Sequence, residues 1–186
     1  MKTTLTTRYA LAALITAALP VSALAQSYPK TLTGSAETSG AAGRSTAVLT
    51  IRIERLMDDL YFKRLTDALQ AGGYQKFFVA LRTLPPIGYV QLGDTKTDLK
   101  YARERTDTPR LVLGTDHPIF FVGAGAPDAK PRAGYEMGVI ELDLDAQGSG
   151  QGTIAPAARV RRAPDGGVTV DDYGGAPIKL SVKAAK

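Results

Sequence analysis

The chain has 186 residues with 19 Gly, 11 Pro, one His, and neither Cys nor Trp. Without Cys there is no disulfide, thiolate metal site, cysteine nucleophile or lipoprotein anchor, and a single His excludes a cluster of histidine ligands. Its 44% hydrophobic and 22% charged residues exclude global disorder, and its length suits one domain with a targeting segment.

Lys2 and Arg8 precede an apolar run from Tyr9 to Leu19, which Pro20 ends before the small residues Ala23 and Ala25. The run is shorter than the roughly 20 apolar residues of a membrane span. It reads as a Sec signal peptide over 1–25, cleaved before Gln26, with no twin-Arg motif. Localisation is then periplasmic or secreted, with no stable membrane insertion after cleavage. Removing Lys2 and Arg8 lowers the formal charge from +5 to +3, too near neutral to argue for nucleic acid or an anionic membrane surface.

Residues 26–186 read as one antiparallel β domain. Leu32 to Glu37 alternates weakly and predicts an edge strand, and Thr38 to Arg44 a turn. From Ser45 to Arg55 alternation is clear, with Ala47, Leu49, Ile51 and Ile53 on one face. The period then changes. Asp58 and Asp59 favour a helix start, Tyr61, Leu65 and Leu69 recur at helical spacing, and Gly72-Gly73 ends that helix. A second helix from Gln75 to Thr83 stops at Pro85-Pro86, predicting a helical hairpin at about 57–84.

Strands resume at Ile87–Leu92, Asp98–Thr106 and Arg110–Gly114, with a turn at Asp107-Thr108-Pro109. A short apolar strand at Ile119–Val122 leads into a Gly/Ala/Pro loop from Gly123 to Gly134. Tyr135–Leu144, Thr153–Arg161, Val168–Asp171 and Ile178–Val182 complete the chain, with turns at Pro164–Gly167 and Tyr173–Gly175. The total is about nine or ten short strands at 8–12-residue spacing, and no helix alternates with them. The fold class is mainly β (α+β): an antiparallel β-meander, barrel-like or strongly curved, with one helical hairpin insertion. Period-two patterning is the same for a closed barrel and an open sheet.

Four segments invite chemistry. Asp143-x-Asp145-x-Gln147-Gly148 copies half of a calcium loop, but Ile154 stands where the bidentate Glu belongs, so a hairpin turn is expected and no metal site. Asp116-His117-Pro118 holds the one His without a G-x-S-x-G elbow; a surface turn is expected there, and no catalytic residue is assigned. Arg159-Val160-Arg161-Arg162 suits a phosphate or acidic head group, or a solvated strand end. Between Leu99 and Arg105, simple alternation places Leu99, Tyr101 and Arg103 on one face. An inward Arg103 needs a carboxylate, and either Glu141 or a bound anion supplies it; an ion pair at the sheet edge is the plainer alternative.

Tyr101-Ala102-Arg103-Glu104-Arg105 followed by Gly114-Thr115-Asp116-His117-Pro118 resembles a pattern of exported bacterial proteins of unassigned function, over about Leu32 to Val182. The resemblance implies export and carries over no catalytic residue. A helix pair inserted in a β-meander is also similar in outline to the intracellular fatty-acid-binding proteins, although there the helices follow the first strand and here two strands precede them.

Three functional readings follow, in this order. The first is a non-enzymatic binding protein for a small apolar or amphipathic anion, held by Tyr89, Tyr101 and Arg103 without a cofactor. The second is an interaction module that docks on another envelope protein and needs no cavity. The third is a hydrolase built on Asp116, His117 and a distant hydroxyl.

Overall fold

The computed structural model describes residues 28–40, 43–105, 108, 110–119, 133–163, 168–172 and 178–185. The expected signal peptide, most of the Ile119–Val122 strand, the Gly123–Gly134 loop up to residue 132, and the Pro164–Gly167 and Tyr173–Gly175 turns lie outside the described residues; of the Asp107–Pro109 turn only Thr108 is described.

Among the described residues, nine strands and one helical segment follow in chain order: β1 (Lys30–Gly40), β2 (Gly43–Ile53), α1 (Asp59–Arg82), β3 (Gly88–Leu92), β4 (Thr95–Glu104), β5 (Arg110–Thr115), β6 (Met137–Leu144), β7 (Gly150–Arg162), β8 (Val168–Asp172) and β9 (Ile178–Ala184). β1 to β7 form an antiparallel meander, each strand paired with the next. The far side of β7 is shared. Its first residues, Gly150–Ile154, pair with β9, and its last, Ala158–Arg162, pair with β8. β9 then pairs with β1 from Leu32↔Ala184 to Glu37↔Lys179 and closes the ring. The result is a closed antiparallel barrel of eight staves, the eighth made of β8 and β9 in succession.

β1 is therefore not the edge strand that its weak alternation predicts. It is bonded on both sides, and its pattern is weak for a packing reason. Gly34, facing Val182 across the closing seam, has no room for a side chain: a Cβ there would lie 1.9 Å from the Ser181 carbonyl oxygen. Gly152 on β7 repeats the arrangement, its Cβ position 2.0 Å from the Glu141 carbonyl oxygen. Glycine marks the places where neighbouring backbones approach closely as the sheet curls shut.

The interior is aliphatic. Leu32, Leu49, Ile51, Ile53, Leu99, Leu113, Ile140, Leu142, Ile154 and Ile178 are all fully buried, and register pairs such as Leu113↔Ile140↔Ile154 put them on one face. An eight-stranded barrel has an interior just wide enough for side chains or one small ligand. Here side chains of the largest aliphatic class occupy it. A second buried strip lies on the opposite register: Met137, Val139 and Ala158 share the outward phase of β6 and β7 yet are buried. α1 packs against β7, which carries part of this strip, and against β4.

The helical insertion turns back on itself as its glycines predict. Gly73 at φ 65° and ψ −157° breaks the helix, a conformation open to glycine and strained for other residues. Arg64 Nη2 donates to Thr83 Oγ1 at 3.4 Å, so the two halves lie side by side. Asp58 caps the first half by accepting from the Tyr61 amide at 2.8 Å. The buried face is Leu65, Leu69, Phe77 and Leu81. No helix among the described residues is long and apolar enough to cross a membrane.

Three tyrosines tie the periphery to the barrel. Tyr28 donates to Glu104 at 2.8 Å, the Tyr74 hydroxyl accepts from the Glu136 amide at 3.1 Å, and the Tyr101 ring packs against the core. Burial raises the pKa of all three above the ordinary tyrosine value; for Tyr28 the neighbouring Glu104 carboxylate adds to it. The fold thus holds these phenols neutral, whereas the unfolded chain ionises near pH 10. Their contribution to stability is whole below that pH and is lost as pH climbs towards the raised folded values. In a spectrophotometric titration of the tyrosines, part of the phenolate signal is expected to appear late and together with loss of β-sheet circular dichroism. A single transition near pH 10 with the fold intact contradicts this.

Candidate functional site at the junction of β4 and the helical insertion

The residues singled out on β4 do not share the barrel interior. The β4–β5 register shifts between Leu99 and Tyr101, where Leu99 faces Thr115 and Tyr101 faces Gly114. The extra residue, Lys100, is a β-bulge and reverses the alternation beyond it. Leu99 and Ala102 are the fully buried inward residues, and Tyr101 and Arg103 take the outward phase. A one-residue slip moves every later side chain to the other face, and this overturns the expected inward Arg103.

Outside the barrel, Arg103 has partners within the protein. Its Nη1 donates to Asp59 Oδ1 at 2.9 Å, and its guanidinium carbon lies 4.1 Å from the centre of the Phe62 ring. Arg103 therefore pins the start of α1 to β4 through an ion pair and a cation–π contact. Asp59 is 94% exposed, so the ion pair itself is worth at most about 1 kcal/mol. Glu141, one of the two partners considered for an inward Arg103, belongs to Arg110 instead. That side chain donates to Glu141 at 3.0 Å and to both Asp143 oxygens at 2.8 and 3.0 Å. β5 lies between β4 and β6, so its own arginine reaches the β6 carboxylates first. Arg110 holds the Asp143 carboxyl below its ordinary pKa, chiefly by hydrogen bonding.

Tyr101 fills the space that Gly114 leaves beside it; a Cβ at Gly114 would lie 3.2 Å from Tyr101 Cβ. Tyr89 does not join them. It faces Arg52 on one side and Asp98 on the other, five positions along β4 from Arg103, and Lys96 Nζ covers its ring at 3.9 Å. The three expected ligand anchors thus fall into two separate outward places.

Beside the Arg103 anchorage lies a cleft that sequence reading did not single out. Arg55, Met57, Asp58, Tyr61, Leu84, Pro85, Ile87 and Lys100 line it, with a volume of about 10 Å³. That is about one water molecule. Lys100 Nζ donates to the Leu84 carbonyl at 3.0 Å across it. The bulge at Lys100 is what brings this side chain there, and a bulge leaves no mark in a period-two pattern.

The other chemical candidates resolve as follows. Asp145 Oδ1 accepts from the amides of Gln147 and Ser149 at 2.9 and 2.8 Å, and Gly148 takes φ 78°: a hairpin turn, as expected, whose oxygens serve the backbone. Among the described residues no group of three His, Cys, Asp or Glu is placed to hold a metal ion. Asp116 and His117 do pair, which their adjacency alone does not predict. Asp116 Oδ1 lies 2.9 Å from His117 Nδ1, with Asp116 buried and His117 exposed. The buried Thr115 hydroxyl donates to the His117 carbonyl at 2.5 Å and accepts from the Gly138 amide at 3.0 Å, locking the corner. Among the described residues no hydroxyl bonds the imidazole, and residues 120–132, which follow closely, contain no Ser, Thr, Tyr or Cys.

No family model, no curated protein and no solved structure matches the chain.

Proposed function

We propose that the protein is a non-enzymatic binding protein that works through its outer surface, as an interaction module of the cell envelope, and does not carry a ligand inside the barrel. One observation supports this reading above the others: the inward face is filled by fully buried Leu and Ile side chains, while the polar residues that suit an anion point outward. A carrier of the fatty-acid-binding kind needs room at the barrel centre and a cation facing it. The hydrolase reading needs a nucleophile beside His117, and the imidazole has only Asp116 among the described residues. The envelope assignment rests on the charged and apolar pattern of residues 1–25.

Native mass spectrometry of the protein, purified without denaturant from an exporting host, tests the proposal. The expected spectrum shows the chain beginning at Gln26 with no small molecule attached, as a monomer or bound to a second polypeptide. A stoichiometric small-molecule mass that leaves only on denaturation overturns it.

A further inference from the structure

Beyond the pair Met137↔Ala158, β7 runs on past β6 and pairs with β8 alone among the described strands. On this ribbon Arg159 and Arg161 share one face, with Asp171 directly across from Arg159 and Thr169 across from Arg161. Asp171 clamps both arginines. Arg159 Nε lies 3.3 Å from Oδ2, and Arg161 Nε lies 2.9 Å from Oδ1 and 2.8 Å from Oδ2. The Arg159 guanidinium carbon also sits 4.8 Å from the centre of the Tyr135 ring. Both ion pairs run through Nε. The terminal nitrogens of the two forks are left for another acceptor, and no described residue supplies one.

We propose that Arg159 and Arg161 form a binding site for a phosphate group. One carboxylate serves two guanidiniums, so the pair keeps a positive charge on this face. The two side chains leave the strand at alternate residues, about 6–7 Å apart at their Cα atoms, and converge on Asp171. A carboxylate's two oxygens fill one fork, whereas a phosphate offers enough acceptors, in a tetrahedral spread, to engage both. The clamp and the Tyr135 stack fix the guanidinium planes before binding and lower the ordering cost that usually weakens an arginine site. The hydrogen bond from Arg161, more than any other contact, keeps the Asp171 carboxyl below its ordinary pKa, so the clamp persists into mildly acid solution.

The test is a titration of the purified protein with inorganic phosphate, followed by the arginine Nε–H signals in nitrogen-15 NMR spectra. Saturable shifts at Arg159 and Arg161 are expected, with affinity falling at least about tenfold in Arg159→Gln and in Arg161→Gln. Asp171→Asn separates an ordered site from plain charge: it makes the patch more positive but releases both forks. The proposal expects several-fold weaker phosphate binding in that variant. Binding that is unchanged or tighter overturns it, as does the absence of a saturable shift in the unmodified protein. Vesicles of phosphatidylglycerol and of phosphatidylcholine, run in parallel, identify the source of the phosphate. Binding to the former that inorganic phosphate displaces places the group on a lipid. No binding to either, with the phosphate shifts intact, places it on a soluble compound. Vesicle binding that phosphate leaves untouched, with no phosphate shift, overturns the site.

Discussion

Ile140→Ala is expected to lower stability by about 3–4 kcal/mol, among the largest effects of any single substitution in this chain. Ile140 is fully buried at the middle of the inward face, opposite Leu113 on β5 and Ile154 on β7. Truncation removes its buried methyl and methylene groups and leaves a hole, because a closed ring of strands cannot collapse inward on one side without stretching its hydrogen bonds elsewhere. The measurement is urea unfolding followed by circular dichroism, with Val48→Ala as the reference. Val48 lies on the outer face of β2, 72% exposed, and its truncation is expected to stay within about 0.5 kcal/mol. If Ile140→Ala costs no more than Val48→Ala, the interior is not packed as described.

Gly34→Ala is expected to cost about 2–4 kcal/mol, through a different mechanism. The new methyl carbon would sit 1.9 Å from the Ser181 carbonyl oxygen and 2.9 Å from Val182 Cα, both backbone atoms of β9. A flexible side chain moves aside cheaply; a paired strand does not. Relief comes only by spreading β1 from β9, which weakens the ladder that closes the barrel. Gly152→Ala meets the Glu141 carbonyl oxygen in the same way and should lose a similar amount. Thermal unfolding checks both, with Ser35→Ala on the outward face of β1 as the control. At roughly 2–4 °C per kcal/mol for a chain of this size, the glycine variants should melt about 5–15 °C lower. A melting point for Gly34→Ala equal to that of Ser35→Ala would falsify the close seam.

These glycines also explain what the sequence hid. Ala47, Leu49, Ile51 and Ile53 alternate cleanly because β2 has room for inward side chains all along its length, and that strand was legible. β1 was legible only as a weak edge strand, since Gly34 interrupts its inward row at the point of closest backbone approach. The helical hairpin was legible because Gly72-Gly73 and Pro85-Pro86 act through local backbone geometry alone. Closure was not, because pairing β1 with β9 joins residues almost the whole chain apart and leaves no local trace.

The candidate site failed at one residue. Reading Leu99, Tyr101 and Arg103 as one face assumes unbroken pleating, and the bulge at Lys100 inverts every later position of β4. The consequence is functional: the cation expected at the barrel centre anchors α1 from outside, beside Phe62 and Asp59. The Asp116–His117 pair was invisible for a different reason. Two adjacent residues face each other only when the backbone between them turns, and here the turn is made by Thr115 reaching across to Gly138.

The central claim is that the barrel is closed and full, so that whatever the protein binds is bound outside. Its most direct test is a titration of the protein, carbon-13 labelled at Leu and Ile methyl groups, with a medium-chain fatty acid. The account predicts that the inward methyls of Leu32, Leu113, Ile140 and Ile154 keep their shifts throughout. Saturable, stoichiometric shifts at those methyls would show a ligand inside the barrel and contradict it.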